Sequence, residues 1–97
     1  MAEEKQFENK VKKYLKAKGI WHVKYFANSF TPVGIPDVLA VVNGKFVAIE
    51  LKAEKGKTSP LQDYNIKEIE RCGGIAIVLR PSGFEDFKKL IEELLKW

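Results

Sequence analysis

An Asn-Gly pair at residues 43–44 separates two apolar runs, residues 38–42 and residues 45–49. This pair is a strong short-range signal for a β-hairpin, because a two-residue type I′ turn needs a positive φ angle at both positions. The turn also sets the register, since each residue before it pairs with the residue the same number of steps after it. Counting outward from the turn places Asp37 opposite Glu50, with Cβ atoms about 5 Å apart.

The two faces of this hairpin differ in chemistry, because side chains alternate between faces along a strand. Asp37, Glu50 and Lys52 share one face. The other face is apolar and predicts the core: Val38, Ala40, Val42, Val47, Ile49 and Leu51. Opposed carboxylates repel each other unless a cation compensates them, and hard divalent ions prefer carboxylate oxygens. The pattern therefore favours a Mg²⁺ or Mn²⁺ site on the two acids; a solvated charge cluster at a strand end is the alternative.

Length and composition predict one globular domain over residues 1–97, with 45% hydrophobic residues. No apolar run approaches the roughly 20 residues that span a bilayer, and residues 1–6 lack the apolar stretch of a signal peptide. The single cysteine, Cys72, excludes an intramolecular disulfide and a multi-cysteine zinc cluster. We expect a cytoplasmic protein, for which a phage or a bacterium is a compatible source.

The net charge of +4 is compatible with a polyanionic partner, and the lysines are concentrated in two segments. For residues 10–18, phosphate contact and an ordinary soluble helix face are equally good interpretations. The second segment, residues 52–57, begins two residues after Glu50 of the acidic pair. Ser59 then begins a helix whose N-terminus attracts anions. We therefore expect Lys55, Lys57 and Ser59 to contact the phosphates of a nucleic acid.

Periodicity and turn residues predict the order α-β-β-β-α-β-α, a mixed sheet flanked by helices. Helices are expected over residues 3–18, from residue 60 to Cys72, and near the C-terminus, where the last helix would bury Phe87, Leu90, Ile91, Leu94 and Leu95. Residues 20–27 and the apolar run 75–79 predict the remaining strands. A helix between the strands at 45–51 and 75–79 predicts a right-handed crossover, so these two strands should be parallel.

Two Ser-x-x-Gln/Glu sequences predict capping boxes at helix N-termini. Ser59 and Gln62 flank Pro60, which is favoured at the first helical position. Ser82 and Glu85 form the second pair. The cap is thus a sufficient structural role for Gln62.

Several of these residues resemble a known nuclease pattern. Pro36-Asp37, followed by Glu50-Leu51-Lys52, resembles the core of the PD-(D/E)xK nuclease superfamily. A fuller set is similar to the virus-type replication-repair nuclease (VRR-Nuc) branch: Gly34, Pro36, Asp37, Glu50, Lys52, Gly56, Ser59 and Gln62. The resemblance covers residues 34–62, and the rest of the chain matches only in the order of its elements. It implies an α/β fold with a restriction-endonuclease-like core.

The resemblance further implies a Mg²⁺- or Mn²⁺-dependent DNA endonuclease that hydrolyses phosphodiester bonds without an organic cofactor. The implied catalytic residues are Asp37, Glu50, Lys52, Gln62 and Glu8. The implied metal ligands are Asp37, Glu50, the backbone carbonyl of Leu51, and Glu8. Glu8 best fits the acidic residue that such nucleases carry on the first helix, while Glu3 and Glu4 are alternatives. For Gln62, the catalytic role competes with the capping role.

The expected substrate is branched or junction DNA, because so small a chain has no room for a domain that reads base sequence. Stand-alone proteins that resemble this one suggest a homodimer. Its interface could use four apolar residues, for which completing a small core is the alternative role: Trp21, Leu94, Leu95 and Trp97.

Two other functions stay open. One is a non-cleaving nucleic-acid-binding module on the same fold, and the other is a protein-interaction or structural domain in which the acidic pair is incidental. A P-loop enzyme is not supported, because the sequence contains no Gly-rich phosphate loop. No membrane partner is expected.

Overall fold

The elements follow one another in the predicted order, α-β-β-β-α-β-α. The computed structural model describes residues 2–97. Within them the elements are α1 (Ala2–Ala17), β1 (Trp21–Lys24), β2 (Val38–Val42), β3 (Lys45–Leu51), α2 (Pro60–Arg71), β4 (Ile75–Leu79) and α3 (Phe84–Leu95), with a 3₁₀ turn over Pro81–Gly83. The sheet has the order β1-β2-β3-β4, and only the β3–β4 pair is parallel. The predicted α/β fold with a mixed sheet is therefore confirmed.

The central hairpin of β2 and β3 has the predicted register. Val42 lies opposite Lys45, and Val38 lies opposite Ile49. Both residues of the Asn-Gly pair at 43–44 have positive φ angles, 50° and 82°, as a type I′ turn requires. Because the turn sets the pairing, the acidic residue before β2 lies level with the acidic residue near the end of β3.

The core lies between one face of the sheet and the two helices α1 and α3. The inward side chains of β2 and the odd-numbered residues 47–51 of β3 form its floor, as predicted. Each helix contributes an apolar stripe, and the buried members of the two stripes are Phe7, Val11, Leu15, Phe84, Phe87, Ile91 and Leu94. Each fully buried aliphatic or aromatic side chain contributes about 1.5–3 kcal/mol to the stability of the fold. Leu95, predicted to be buried, is 38% exposed because it lies off this stripe, and Leu90 is only partly buried.

Helix α2 lies on the other face of the sheet and covers only part of it. None of its side chains is fully buried. Strand β4 lies at the edge of the sheet, so most of its residues are only partly buried, although the apolar run 75–79 predicted a strand covered on both faces. Over β1 and β2 the outer face is open, and Trp21, Val23 and Val41 are exposed there.

Three local predictions are wrong. Strand β1 ends at Lys24 instead of residue 27. The Ser82–Glu85 capping box does not form, because a 3₁₀ turn precedes α3 and the Glu54 carboxylate accepts a hydrogen bond from the Ser82 backbone N–H. The loop aromatic Phe30 is expected from the sequence to cap the core, with stacking on a base as the alternative, but its side chain is 95% exposed and does not cap the core. Of the helices described over residues 2–97, none has the length and apolar character to span a bilayer.

Candidate active site

Asp37 lies at the entrance to β2, where backbone groups of two neighbouring strands hold it. Its carboxylate Oδ2 accepts a hydrogen bond from the Leu51 backbone N–H at 2.8 Å. Its own carbonyl accepts one from the Tyr25 N–H, also at 2.8 Å. The preceding residue, Pro36, is fully buried and restrains the chain at this point. The carboxylate is therefore fixed over the end of β3.

Glu50 is a carboxylate buried in the sheet, with only 2% of its surface exposed. Its Oε2 atom accepts hydrogen bonds from Gln62 Nε2 at 3.1 Å and is 3.3 Å from Lys52 Nζ. Its Oε1 atom has no hydrogen-bond partner among the residues that the structure describes. Leaving a buried acceptor unsatisfied costs about 1–3 kcal/mol, and more when the group is charged. A cation bound at this oxygen would remove that cost.

The electrostatics of Glu50 agree with this interpretation. Burial, followed by the negative charge of Asp37, raises the pKa of Glu50 to about 7, although Lys52 opposes the shift. The geometry places Asp37 next to Glu50, because Val38 lies opposite Ile49 and the Asp37 carboxylate accepts the N–H of Leu51, the residue after Glu50. The charge of Lys52 does not fully compensate the repulsion that Glu50 experiences.

Gln62 makes the contacts that both of its competing predicted roles require. Its Oε1 atom accepts a hydrogen bond from the Ser59 backbone N–H at 2.8 Å, and its backbone N–H donates to Ser59 Oγ at 3.2 Å, which completes the capping box. Its Nε2 atom donates to Glu50. Because an amide has one acceptor and two donors, the same side chain caps α2 and holds the buried carboxylate.

Glu8 of α1 lies near Asp37 but is separated from it by a lysine that the sequence did not identify. Lys24 Nζ is 3.0 Å from Glu8 Oε1 and 3.5 Å from Asp37 Oδ1. Lys5 and Lys12 lie 3.2 and 3.1 Å from Glu8 Oε2. Although burial opposes ionisation, hydrogen bonds from these three lysines lower the pKa of Glu8 to about 2.

An open cavity of about 670 Å³ lies between Glu8, Asp37 and Lys52, whereas Glu50 and Gln62 lie behind its surface and do not line it. Its lining includes Glu3, Glu4, Glu8, Lys24, Asp37, Leu51, Lys52 and Lys55. The alternatives Glu3 and Glu4 therefore lie at the cavity too, but both are exposed. Lys57 and Ser59 are exposed and do not line this cavity, and the Ser59 hydroxyl is used in the helix cap.

The loop after β3, residues 52–59, is held by residues that directly follow the C-terminal end of β4. Arg80 donates a hydrogen bond from its guanidinium to the Gly56 carbonyl at 2.7 Å, and Glu54 contacts the Ser82 backbone. These contacts hold the lysine-bearing loop beside the cavity. These contacts could not be predicted from local sequence patterns, because they join residues 24 and 28 positions apart.

The donor set fits one divalent cation. Carboxylate oxygens are the ligands that Mg²⁺ and Mn²⁺ prefer, and Glu50 supplies a buried oxygen that has no partner within residues 2–97. Among residues 2–97, no three His, Cys, Asp or Glu side chains are grouped closely enough to hold a metal ion. The arrangement therefore fits an ion bound by few protein ligands, which is usual for Mg²⁺ because it retains several waters.

Comparison with known proteins identifies the family. The sequence profile of the archaeal Holliday junction resolvases, Hjc, matches residues 2–80. The chain belongs to this family. A solved structure, Hjc from the archaeal hyperthermophile Archaeoglobus fulgidus, has a TM-score of 0.58 and 20% sequence identity, covering 79% of this chain and 69% of that chain. At this identity the likeness shows the fold alone. No curated protein sequence matches the chain significantly.

Membership of the Hjc family confirms the predicted nuclease superfamily and implies an endonuclease. The solved structure confirms the restriction-endonuclease-like fold. The profile that matches is not that of the VRR-Nuc branch, although the resemblance over residues 34–62 suggested that branch. The matched range, residues 2–80, contains all the residues that we predicted to form the site.

Proposed function

We propose that this chain is a metal-dependent endonuclease that cuts branched or junction DNA without reading its base sequence. Membership of a Holliday junction resolvase family supports this proposal. The observation that carries it is the buried Oε1 atom of Glu50, which has no hydrogen-bond partner among the described residues. The other oxygen of this carboxylate, Oε2, is 3.3 Å from Lys52 Nζ, and the charge of Asp37 helps to raise the pKa of Glu50. A binding module that never cleaves would have no need of a destabilising acidic pair in its sheet.

In this proposal Asp37, Glu50 and the backbone carbonyl of Leu51 hold Mg²⁺ or Mn²⁺. The N–H and C=O of one residue in a strand point to the same side, and the Leu51 N–H donates to Asp37 Oδ2. The Leu51 carbonyl is therefore directed to the Asp37 side of β3. The ion, when bound, supplies a Lewis acid that polarises the scissile phosphate and makes a water molecule more acidic.

The residues around the ion position the phosphate and restrain the acids. Lys52, with a side chain only 19% exposed, presents a localised positive charge that can orient water or bind a nonbridging phosphate oxygen. Gln62 keeps Glu50 in place from α2. Lys55 lines the cavity, and Lys57 and Ser59 lie at the N-terminus of α2, where an incoming phosphate backbone would meet positive charge.

We also propose that the protein acts as a homodimer, so that its two sites can face two of the four strands of a four-way junction. Trp21 and Val41 expose an apolar surface on the outer face of the sheet, and Trp97 is 80% exposed at the C-terminus. Leu94, also predicted at the interface, is buried in the core and is not available for it. Sedimentation equilibrium should find a dimer that Val41→Glu converts to a monomer, and a monomeric wild type would contradict the proposal.

A cleavage assay tests the function directly. We expect the protein to cut four-way DNA in Mg²⁺ or Mn²⁺, to leave linear duplex of the same sequence uncut, and to be inactive in EDTA. Asp37→Asn and Lys52→Met should each reduce the cleavage rate by more than about 100-fold while the circular dichroism spectrum stays native. Lys67→Met, which removes an exposed lysine of α2, is the control and should keep the wild-type rate.

Two results would contradict the proposal. Full activity of Asp37→Asn would remove the acidic pair from the mechanism. Salt-sensitive binding of junction DNA without any product, with every metal tested, would favour the non-cleaving module.

Three expectations remain predictions from the sequence: a closer relation to the VRR-Nuc branch, an intracellular location, and a phage or bacterial source.

A further inference from the structure

Lys24 is placed between two carboxylates that come from different elements. It lies opposite Val38 in the β1–β2 pair, so its side chain starts on the inner face of the sheet, towards α1. Its ammonium group is 3.0 Å from an oxygen of Glu8 and 3.5 Å from an oxygen of Asp37. The side chains of Lys24 and Glu8 are 20% and 12% exposed. Their ion pair is therefore shielded, unlike the surface pairs that contribute little.

The charges on the two sides of Asp37 are balanced in different ways. On the α1 side, both oxygens of Glu8 already have cationic partners: Lys24 on Oε1, and Lys5 and Lys12 on Oε2. On the β3 side, Glu50 has a buried oxygen with no partner among the described residues. A divalent ion would therefore satisfy Glu50, whereas at Glu8 it would have to displace a lysine.

We infer that the ammonium group of Lys24 occupies the position between Glu8 and Asp37 where a second metal ion would otherwise bind. The centre therefore binds one divalent ion, between Asp37 and Glu50. This inference rests on the proposed function. In it, Glu8 is a positioning residue that holds Lys24, and it does not bind the ion. Lys24 in turn restrains the Asp37 carboxylate through its Oδ1 atom.

Counting the bound ions tests this role without measuring cleavage. Titration with Mn²⁺, followed by calorimetry and by electron paramagnetic resonance, should find one ion per wild-type chain. Lys24→Ala removes the bridging ammonium and leaves space between Glu8 Oε1 and Asp37 Oδ1, which have then lost their shared cation. Its stoichiometry should rise to two ions per chain. In the double variant Lys24→Ala/Glu50→Gln the ion between Asp37 and Glu50 is lost, so one ion should remain.

Lys12→Ala is the matched control, because Lys12 also contacts Glu8 but lies on its other oxygen, Oε2. It should keep one ion per chain. Two ions in the wild type, one ion in Lys24→Ala, or a second ion in Lys12→Ala would each overturn the inference. If Lys24→Ala does not fold, as judged by circular dichroism, Lys24→Gln replaces it, and the wild-type count alone can still refute the inference. A wild type that binds no Mn²⁺ would instead refute the proposed function.

Discussion

Replacing Glu50 by Gln should make the metal-free protein more stable at neutral and alkaline pH. The side chain is buried, and one of its oxygens has no partner among the described residues. Glutamine has nearly the same shape and no charge. Its carbonyl can accept the bonds that Gln62 and Lys52 now donate, and its amide can donate towards Asp37. The variant therefore removes the repulsion while it retains the packing.

The size of the effect follows from the pKa of Glu50, which burial and then Asp37 raise from the ordinary value of 4.5 to about 7. Because the pKa is higher in the folded than in the unfolded state, the folded protein binds this proton more tightly. The contribution of Glu50 to stability is therefore full below about pH 4.5 and is lost as the pH rises to about 7. At about 1.4 kcal/mol per pKa unit, the loss is about 3 kcal/mol. Glu50→Gln lacks it.

Urea unfolding in EDTA, monitored by circular dichroism at several pH values, measures the difference. The two proteins should have similar free energies of unfolding near about pH 4, and the variant should be more stable by about 3 kcal/mol at about pH 8. Glu70→Gln, an exposed change on α2, is the control and should shift the free energy by less than about 0.5 kcal/mol. Equal stability of wild type and Glu50→Gln at pH 8 would refute the proposed electrostatics of the site.

Adding Mn²⁺ should reverse the order of stability. An ion that binds only the folded state stabilises it by about 4.1 kcal/mol at about 1,000 times its dissociation constant, which exceeds the deficit of about 3 kcal/mol. The wild type should gain this stability, whereas Glu50→Gln has lost a ligand and should gain little. A gain of equal size in both proteins would place the ion elsewhere.

Three further changes test the surroundings of the site. Gly34→Ala should destabilise the protein by about 2–4 kcal/mol, because φ is +80° and a Cβ atom would lie 2.9 Å from the Leu61 backbone; Gly19→Ala, with positive φ but open space, should cost about 1 kcal/mol in the same urea assay. Phe30→Ala should leave stability within about 0.5 kcal/mol but weaken binding of four-way DNA about tenfold by fluorescence anisotropy, if the exposed ring stacks on a base; an unchanged affinity would exclude stacking. Gln62→Glu should keep the helix cap but place a second charge against the buried carboxylate, so calorimetric melting should show a larger loss at pH 8 than at pH 5.

The part of the site that depends on local chemistry could be predicted from the sequence. A two-residue Asn-Gly turn leaves one pairing, and this pairing brings Asp37 level with Glu50. The cap of α2 was predictable for the same reason, since Ser59, Pro60 and Gln62 act within four residues. In both places the interactions that decide the structure are close in the sequence.

The contacts of Lys24 could not be predicted in this way. The loop between β1 and β2 is 13 residues long, from 25 to 37, and has no turn that sets the register of the two strands. Which face of β1 turns inwards, and which residue lies next to Asp37, depends on the packing of α1 against the sheet. The failed cap of α3 has a similar cause, because Glu54 reaches Ser82 from a distant loop.

Glu8 and Glu50 show how differently one fold treats the same residue type. Both side chains are largely buried, yet the pKa of Glu8 falls to about 2 and that of Glu50 rises to about 7. Three lysines surround the first, whereas the second has one lysine and a neighbouring acid. A carboxylate that the protein has already neutralised gains little from a metal ion, and one left with an unpaired oxygen gains much. We therefore expect the cation to bind at the carboxylate whose charge the lysines do not neutralise, which in this chain is Glu50.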